Sequence, residues 1–224
     1  MTVRSSLTPA LPWVAAGLAF AAYPALRPWT DETTMAGLRA MASQRWVLAH
    51  LLGMAGFVLL SVGIGSWSLR DGPATRVRRL LPWLAGLAVV LLLPYYGGEA
   101  FALRAIGRYA VAHDDLGMLA VVDGFRYQPL AMVVFGIGLL SLAAVGIVLV
   151  VDTWSAGPRL RVAAVTVGLA LALYLPQFYT PAAVRVGHGI VLGLGCVAFG
   201  LLSRPERRAT DSVIEVQSER LVQL

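Results

Sequence analysis

The chain has 224 residues, of which 58% are hydrophobic and only 13% charged, and its mean hydropathy is +0.74. A soluble domain of this length cannot bury that much apolar surface, so the composition points to a polytopic membrane protein. The net charge of +6 comes entirely from arginines lying between apolar runs. Headgroup anchoring and the positive-inside rule account for that pattern, and no nucleic-acid partner is expected.

Six apolar runs follow in order: Leu11–Leu26, Trp46–Leu69, Leu80–Leu103, Pro129–Val151, Val162–Tyr179 and Val186–Ser203. Most approach the ~20 residues that a bilayer core requires, and backbone satisfaction in lipid makes them helices. The expected fold is all-α: a membrane bundle of about six transmembrane helices, in one domain spanning residues 1–203, followed by a polar tail over 204–224. Small residues such as Ala49, Gly53 and Gly56, or Gly193, Gly195 and Gly200, recur as helix-packing signals. Arg4, the "RDGPATRVRR" loop, Arg159, Arg161 and the "SRPERR" tail enrich one side in arginine. That bias leads to the expectation that both termini are cytoplasmic.

Two connections on the other side read as amphipathic helices at the membrane surface. In "TDETTMAGLRAMASQRW", Thr30 is the expected cap, with Asp31 and Glu32 in the first turn. In "AIGRYAVAHDDLGMLAVVDGFRYQP", apolar residues alternate with His113, Asp114, Asp115 and Asp123.

Threading the runs up and down collects the polar groups in one leaflet. Glu99, Tyr95 and Tyr96 end the third run, His50 begins the second, and Arg126, Tyr127 and Gln128 open the fourth. Gln177, Phe178 and Tyr179 close the fifth, while Arg185 and His188 begin the sixth. An ionisable residue at membrane depth is expensive and by default points to a function. Pro94 tends to kink the helix before Glu99, and Gly97 and Gly98 leave space beside it. The stretch "LLLPYYGGEAFALRAIGRY" is therefore expected to hang one carboxyl into a cavity walled by tyrosines. Withdrawal from water favours the neutral acid, which can deliver a proton; a nearby Arg104 or Arg126 would favour the carboxylate. The plainer alternative makes Glu99 an arginine partner at the headgroups.

Asp123 is a second candidate acid, or an acceptor for Arg126. Asp114 and Asp115 are adjacent and suit a wet turn. His50 and His188 fit either a pair of haem ligands or bonds to neighbouring helices, and the latter is favoured. No cofactor and no metal are expected. Cys196 is alone, which leaves no disulfide within the chain.

At "LPYYGGEAFALRAIG", "DGFRYQPLAMVVFGIGLL" and "LALYLPQFYTPAAVRVGHG" the chain resembles small actinobacterial integral membrane proteins. It is similar to the membrane-bound terpene cyclases of indole-terpenoid (drimentine-like) pathways. The resemblance implies cyclisation of a prenyl chain, started when an intramembrane acid protonates an alkene or epoxide. That acid maps to Glu99, with Asp123 or Asp114 as the alternative. Aromatic side chains at Tyr95, Tyr96, Phe101, Tyr127, Phe178 and Tyr179, with His50 and His188, would line the substrate site. The expected partners are a prenylated or lipid-like substrate and membrane lipids, with the oligomeric state left open. A proton-linked transporter or a lipid-binding protein using the same acid is the alternative.

Overall fold

The computed structural model describes residues 9–69 and 75–203, and every regular element among them is helical. The polar tail, Arg4 and part of the arginine-rich loop lie outside the described residues. Six helices pack side by side in a closed ring: α1 (Leu11–Leu26), α3 (Gln44–Ser68), α4 (Leu81–Gly97), α7 (Pro129–Asp152), α8 (Pro158–Ala172) and α9 (Ala182–Leu202). Each packs on the next in that order, and α9 closes the ring on α1. The shorter helices α2 (Met35–Ala42), α5 (Leu103–His113) and α6 (Leu119–Arg126) sit at one end. They have their own small core of Leu38, Met41, Trp46, Leu103 and Val122, as expected of amphipathic connections that bury one face.

Four helical segments are long and apolar enough to cross a membrane: Gln44–Ser68, Arg78–His113, Pro129–Asp152 and Ala182–Leu202. Two of the six expected runs differ. Helix α1 has 16 residues, so at 1.5 Å per residue it is ~24 Å long, short of the ~30 Å hydrocarbon core. The fifth run is not one helix: α8 ends at Ala172 and gives way to a 3₁₀ turn, Pro176–Tyr179. Pro176 explains the break, because its nitrogen cannot donate to the Ala172 carbonyl four residues back and its ring crowds that carbonyl. The third run goes the other way. It continues through α5 as one rod of 36 residues, so the connection expected to begin a separate surface helix starts as an extension of the rod.

Packing in the ring follows the small residues. Gly17 of α1 and Gly193 of α9 lie so close that a Cβ on either would meet the other's carbonyl oxygen, the close approach that small residues permit between membrane helices. The half of the ring away from the short helices is filled by Trp13, Leu60, Ile64, Leu142 and Phe199. At that end Asp152 accepts from Arg78 Nε, Thr75 Oγ1 and Trp67 Nε1, at 2.9–3.2 Å. This cluster ties the arginine-rich loop to the end of α7.

Candidate functional site: a carboxylate held in an aromatic cavity

Glu99 lies where the long rod changes its winding. Residues Gly98–Ala102 form a π-helical turn between α4 and α5, a local insertion that often marks functional positions. The turn comes four residues after Pro94, through which α4 passes unbroken. The Glu99 carbonyl oxygen accepts from Trp46 Nε1 at 2.7 Å, so the buried indole fixes the turn against α3. Gly98 does not leave open space, as expected from sequence. A Cβ there would fall within the ring of Phe125, on α6, whereas Gly97 faces open space. Gly98→Ala is therefore expected to cost about 1–3 kcal/mol through overpacking. Thermal unfolding in detergent should show the loss, and shortening the ring by Phe125→Ala in the same chain should recover part of it.

The Glu99 side chain is 7% exposed and does not present a free acid. Arg126 grips it from both sides, with Nε donating to Oε1 at 2.7 Å and Nη2 to Oε2 at 2.9 Å. This fork-to-fork arrangement is that of a carboxylate. Of the two arginines expected as neighbours, Arg126 fills the role; Arg104 makes no ion pair among the described residues. The third Arg126 nitrogen, Nη1, donates to Glu32 Oε2 at 2.7 Å, and Glu32 Oε1 accepts from Arg27 Nη2 at 2.7 Å. An alternating chain results: Arg27, Glu32, Arg126, Glu99. His50 extends it, its Nε2 standing 3.7 Å from Glu99 Oε2. Its Nδ1 donates to the Trp46 carbonyl at 2.8 Å, which leaves Nε2 as the atom that can accept or release a proton.

The role of Glu32 was not visible in the sequence pattern. The helix in that connection begins at Met35 with Thr34 as its cap, so Thr30 does not cap it and Glu32 lies upstream. Asp31 instead accepts from Thr33 N–H and Oγ1, a local turn that frees Glu32 to face the cavity. Burial pushes the Glu32 carboxyl up, but Arg27 and Arg126 more than offset it, holding it below the ordinary glutamate value of 4.5. Burial likewise works against the Arg126 cation, and its two carboxylate partners more than offset it, raising its proton affinity above that of an ordinary arginine.

The sign of the pH effect follows. A carboxyl whose folded-state value is depressed contributes stability that is complete above the unfolded value and is lost as pH falls through the folded one. Melting temperature should therefore fall as pH drops below 4.5. Glu32→Gln should lower it at neutral pH and flatten that acid limb, as a pH series of melting curves would show.

The chain borders a cavity of about 370 Å³, within the range of small-molecule sites. Its wall includes Tyr23, His50, Tyr95, Tyr96, Phe135 and Phe178. Tyr95 stacks on Phe135 at 4.2 Å between centroids, and Phe135 meets Phe178 at 5.9 Å. Tyr96 and Tyr174 bring their hydroxyls to 3.3 Å. Tyr127 and Tyr179 also border the cavity but are 68% and 83% exposed, so they form its rim.

No family model, curated protein or solved structure matches the chain. Its chemistry therefore has to be read from this geometry alone.

Four residues expected at the site lie elsewhere. Phe101 is 57% exposed and outside the cavity; two residues after Glu99 on the same π turn, it projects from the other side of the rod. Asp123 is exposed and does not accept from Arg126, whose three nitrogens serve Glu99 and Glu32. Asp114 is exposed and ends α5 in a left-handed conformation, φ 48°. His188 stands behind the wall, where Nε2 donates to the Ala170 carbonyl at 2.8 Å and binds α9 to α8. Among the described residues no three His, Cys, Asp or Glu side chains gather as a metal-binding group.

Sequence reasoning did not assign Tyr23, Arg27, Trp46 or Phe135 to the site. None of the four carried a local signal of a shared cavity.

Proposed function

We propose that the protein is an integral membrane enzyme that cyclises a prenylated, lipid-like substrate through carbocations started by Glu99. In this reading all six ring helices cross the bilayer, with both termini cytoplasmic and the cavity in the outer leaflet. The 3₁₀ turn after α8 would lengthen that short helix toward the interface. One observation carries the proposal: a single cavity brings an intramembrane carboxyl together with several aromatic rings. An apolar chain can enter such a site from the bilayer. Desolvated aromatic faces can each steady a passing cation by about 2 kcal/mol or more, and Tyr95, Tyr96, Phe135 and Phe178 are placed for this.

The reaction requires Glu99 to carry a proton, which passes from its oxygen to the terminal alkene carbon or epoxide oxygen. The resulting cation closes a ring onto a neighbouring double bond, and transfer of a proton from carbon to the neutral His50 Nε2, which exchanges it with solvent, ends the sequence. The arginine clamp is compatible with that step because Arg126 is shared. When Glu99 is neutral, Arg126 keeps Glu32 as its counter-charge, so no buried cation is left alone. His50 Nε2 is placed to return the proton to Glu99.

The bidentate clamp itself favours a second reading, in which the site binds a lipid-like ligand for sequestration or proton-linked transport and Glu99 stays a carboxylate. A carrier also needs a polar route to the opposite face, where this bundle is packed with Trp13, Ile64 and Phe199. Incubating the purified protein with prenylated substrates distinguishes the two by mass spectrometry. The cyclase reading expects new products of unchanged mass; recovery of substrate alone, despite measurable binding, would favour the binding protein.

A further inference from the structure

The charges around the cavity do not balance. Arg27, Arg126 and Arg185 border it, against the carboxylates of Glu32 and Glu99. Arg126 uses its three nitrogens on those two carboxylates. Arg27 spends only Nη2 on Glu32; its Nε and Nη1 are buried and have no acceptor among the described residues. The Arg27 guanidinium is also 8% exposed and held between the faces of Trp29 and Trp46, at 4.4 and 4.5 Å.

Arg185 makes no ion pair among the described residues. Its Nε donates to the Thr180 carbonyl at 2.9 Å and its Nη2 to the Phe178 carbonyl. The same Trp29 ring stands 5.2 Å from it. The Arg185 charge is thus fixed in place by backbone carbonyls without being neutralised. The nearest additional acid along the rim, Asp31, is exposed and engaged by Thr33.

Unpartnered buried donors are costly, and proteins tend to retain such groups where a ligand completes them. We infer that the cavity's ligand is an apolar chain ending in an oxyanion, a phosphate or carboxylate, which seats between Arg185 and Arg27. Trp29 is the shared wall of that headgroup site, and the apolar chain runs inward toward Tyr95, Phe135 and Phe178. Reaching the Arg27 nitrogens takes a shift of Trp29, so the indole acts as a gate on the second arginine. This inference deepens the substrate class proposed above, but it needs only binding at the same cavity and does not depend on cyclisation.

The test compares farnesyl monophosphate, farnesoic acid and farnesol, which present one chain with and without charge. Binding is measured to purified protein in nanodiscs of phosphatidylcholine. Charge-assisted contacts are worth about ten-fold or more in affinity, so both anionic probes should bind at least that much more tightly than farnesol. Arg185→Met should weaken the anionic probes at least ten-fold more than farnesol and so abolish the preference, while an unchanged melting temperature reports that the fold survives. Arg185→Lys should restore part of it. Adding phosphatidylglycerol to the discs distinguishes the source: competition with the anionic probes assigns the oxyanion to a lipid headgroup, and its absence to a free amphiphile. Equal affinity for charged and neutral probes, or a preference that survives Arg185→Met, would overturn the inference. Anionic preference without any product would leave it standing while the cyclase reading fails.

Discussion

Replacing Glu99 by glutamine is expected to silence turnover while leaving the fold in place. Glutamine keeps the size of the side chain, and its carbonyl oxygen can still accept from Arg126 Nε or Nη2, which now reach Glu99 at 2.7 and 2.9 Å. Arg126 also retains Glu32 as a counter-charge. The transferable proton is what disappears. General acid catalysis is typically worth ~10²–10⁴ in rate, so the variant should fall below detection in an ordinary product assay. Glu99→Asp keeps the acid but withdraws it by one methylene from the cavity and from Arg126, so partial activity is expected. Tyr95→Leu and Tyr96→Leu should alter the product mixture, because those rings meet the cation after it forms; Tyr179→Leu, at the rim, should do less. Full activity in Glu99→Gln together with a silent Asp123→Asn would overturn the assignment of the acid.

Removing Arg126 should have the largest effect on stability. Arg126→Met leaves Glu99, 7% exposed, without an arginine partner among the described residues, and leaves Glu32 with Arg27. Breaking a buried pair from one side costs about 3–5 kcal/mol, because the surviving charge stays buried without compensation. Methionine occupies similar space, so packing loss against Trp46 is a minor part of the effect. The cause can be isolated by a second substitution. If the loss comes from the orphaned carboxylate, Arg126→Met with Glu99→Gln should be more stable than Arg126→Met alone. Thermal unfolding of the parent, two single variants and the double variant in one detergent gives the coupling directly. A double variant that loses the sum of the two single effects would show that the pair is not coupled.

Much of the fold was legible because membrane helices announce themselves through long apolar runs. Up-and-down threading also located the polar end of the bundle. It failed where one residue decides the local geometry. Pro176 divides the fifth run, and the π turn at Gly98–Ala102 carries the third run past its expected end. At the site, Glu99 stood out because it is the lone acid in an apolar stretch. Its chemical state did not, since that depends on Arg126, 27 residues away. Glu32 was read through its neighbours in sequence, as a helix-dipole residue, whereas its work is done across 94 residues with Arg126. Trp46 reaches the Glu99 carbonyl across 53 residues, a bond that exists only because the two helices pack and the turn presents that oxygen. Periodicity reports which face a residue occupies; it carries no information on which distant side chain meets it there.

The account rests on Glu99 starting a reaction by protonation, and isotope incorporation tests that step most directly. An alkene-terminated prenyl substrate is converted in heavy water after the protein's exchangeable protons have equilibrated. Protonation by Glu99 places one solvent deuteron on a carbon of the product, and the terminating step removes a hydrogen from another carbon. The account predicts a cyclic product carrying a single, non-exchangeable deuterium, with the signal lost in Glu99→Gln. A cyclic product formed without deuterium, or labelled equally by Glu99→Gln, would contradict it.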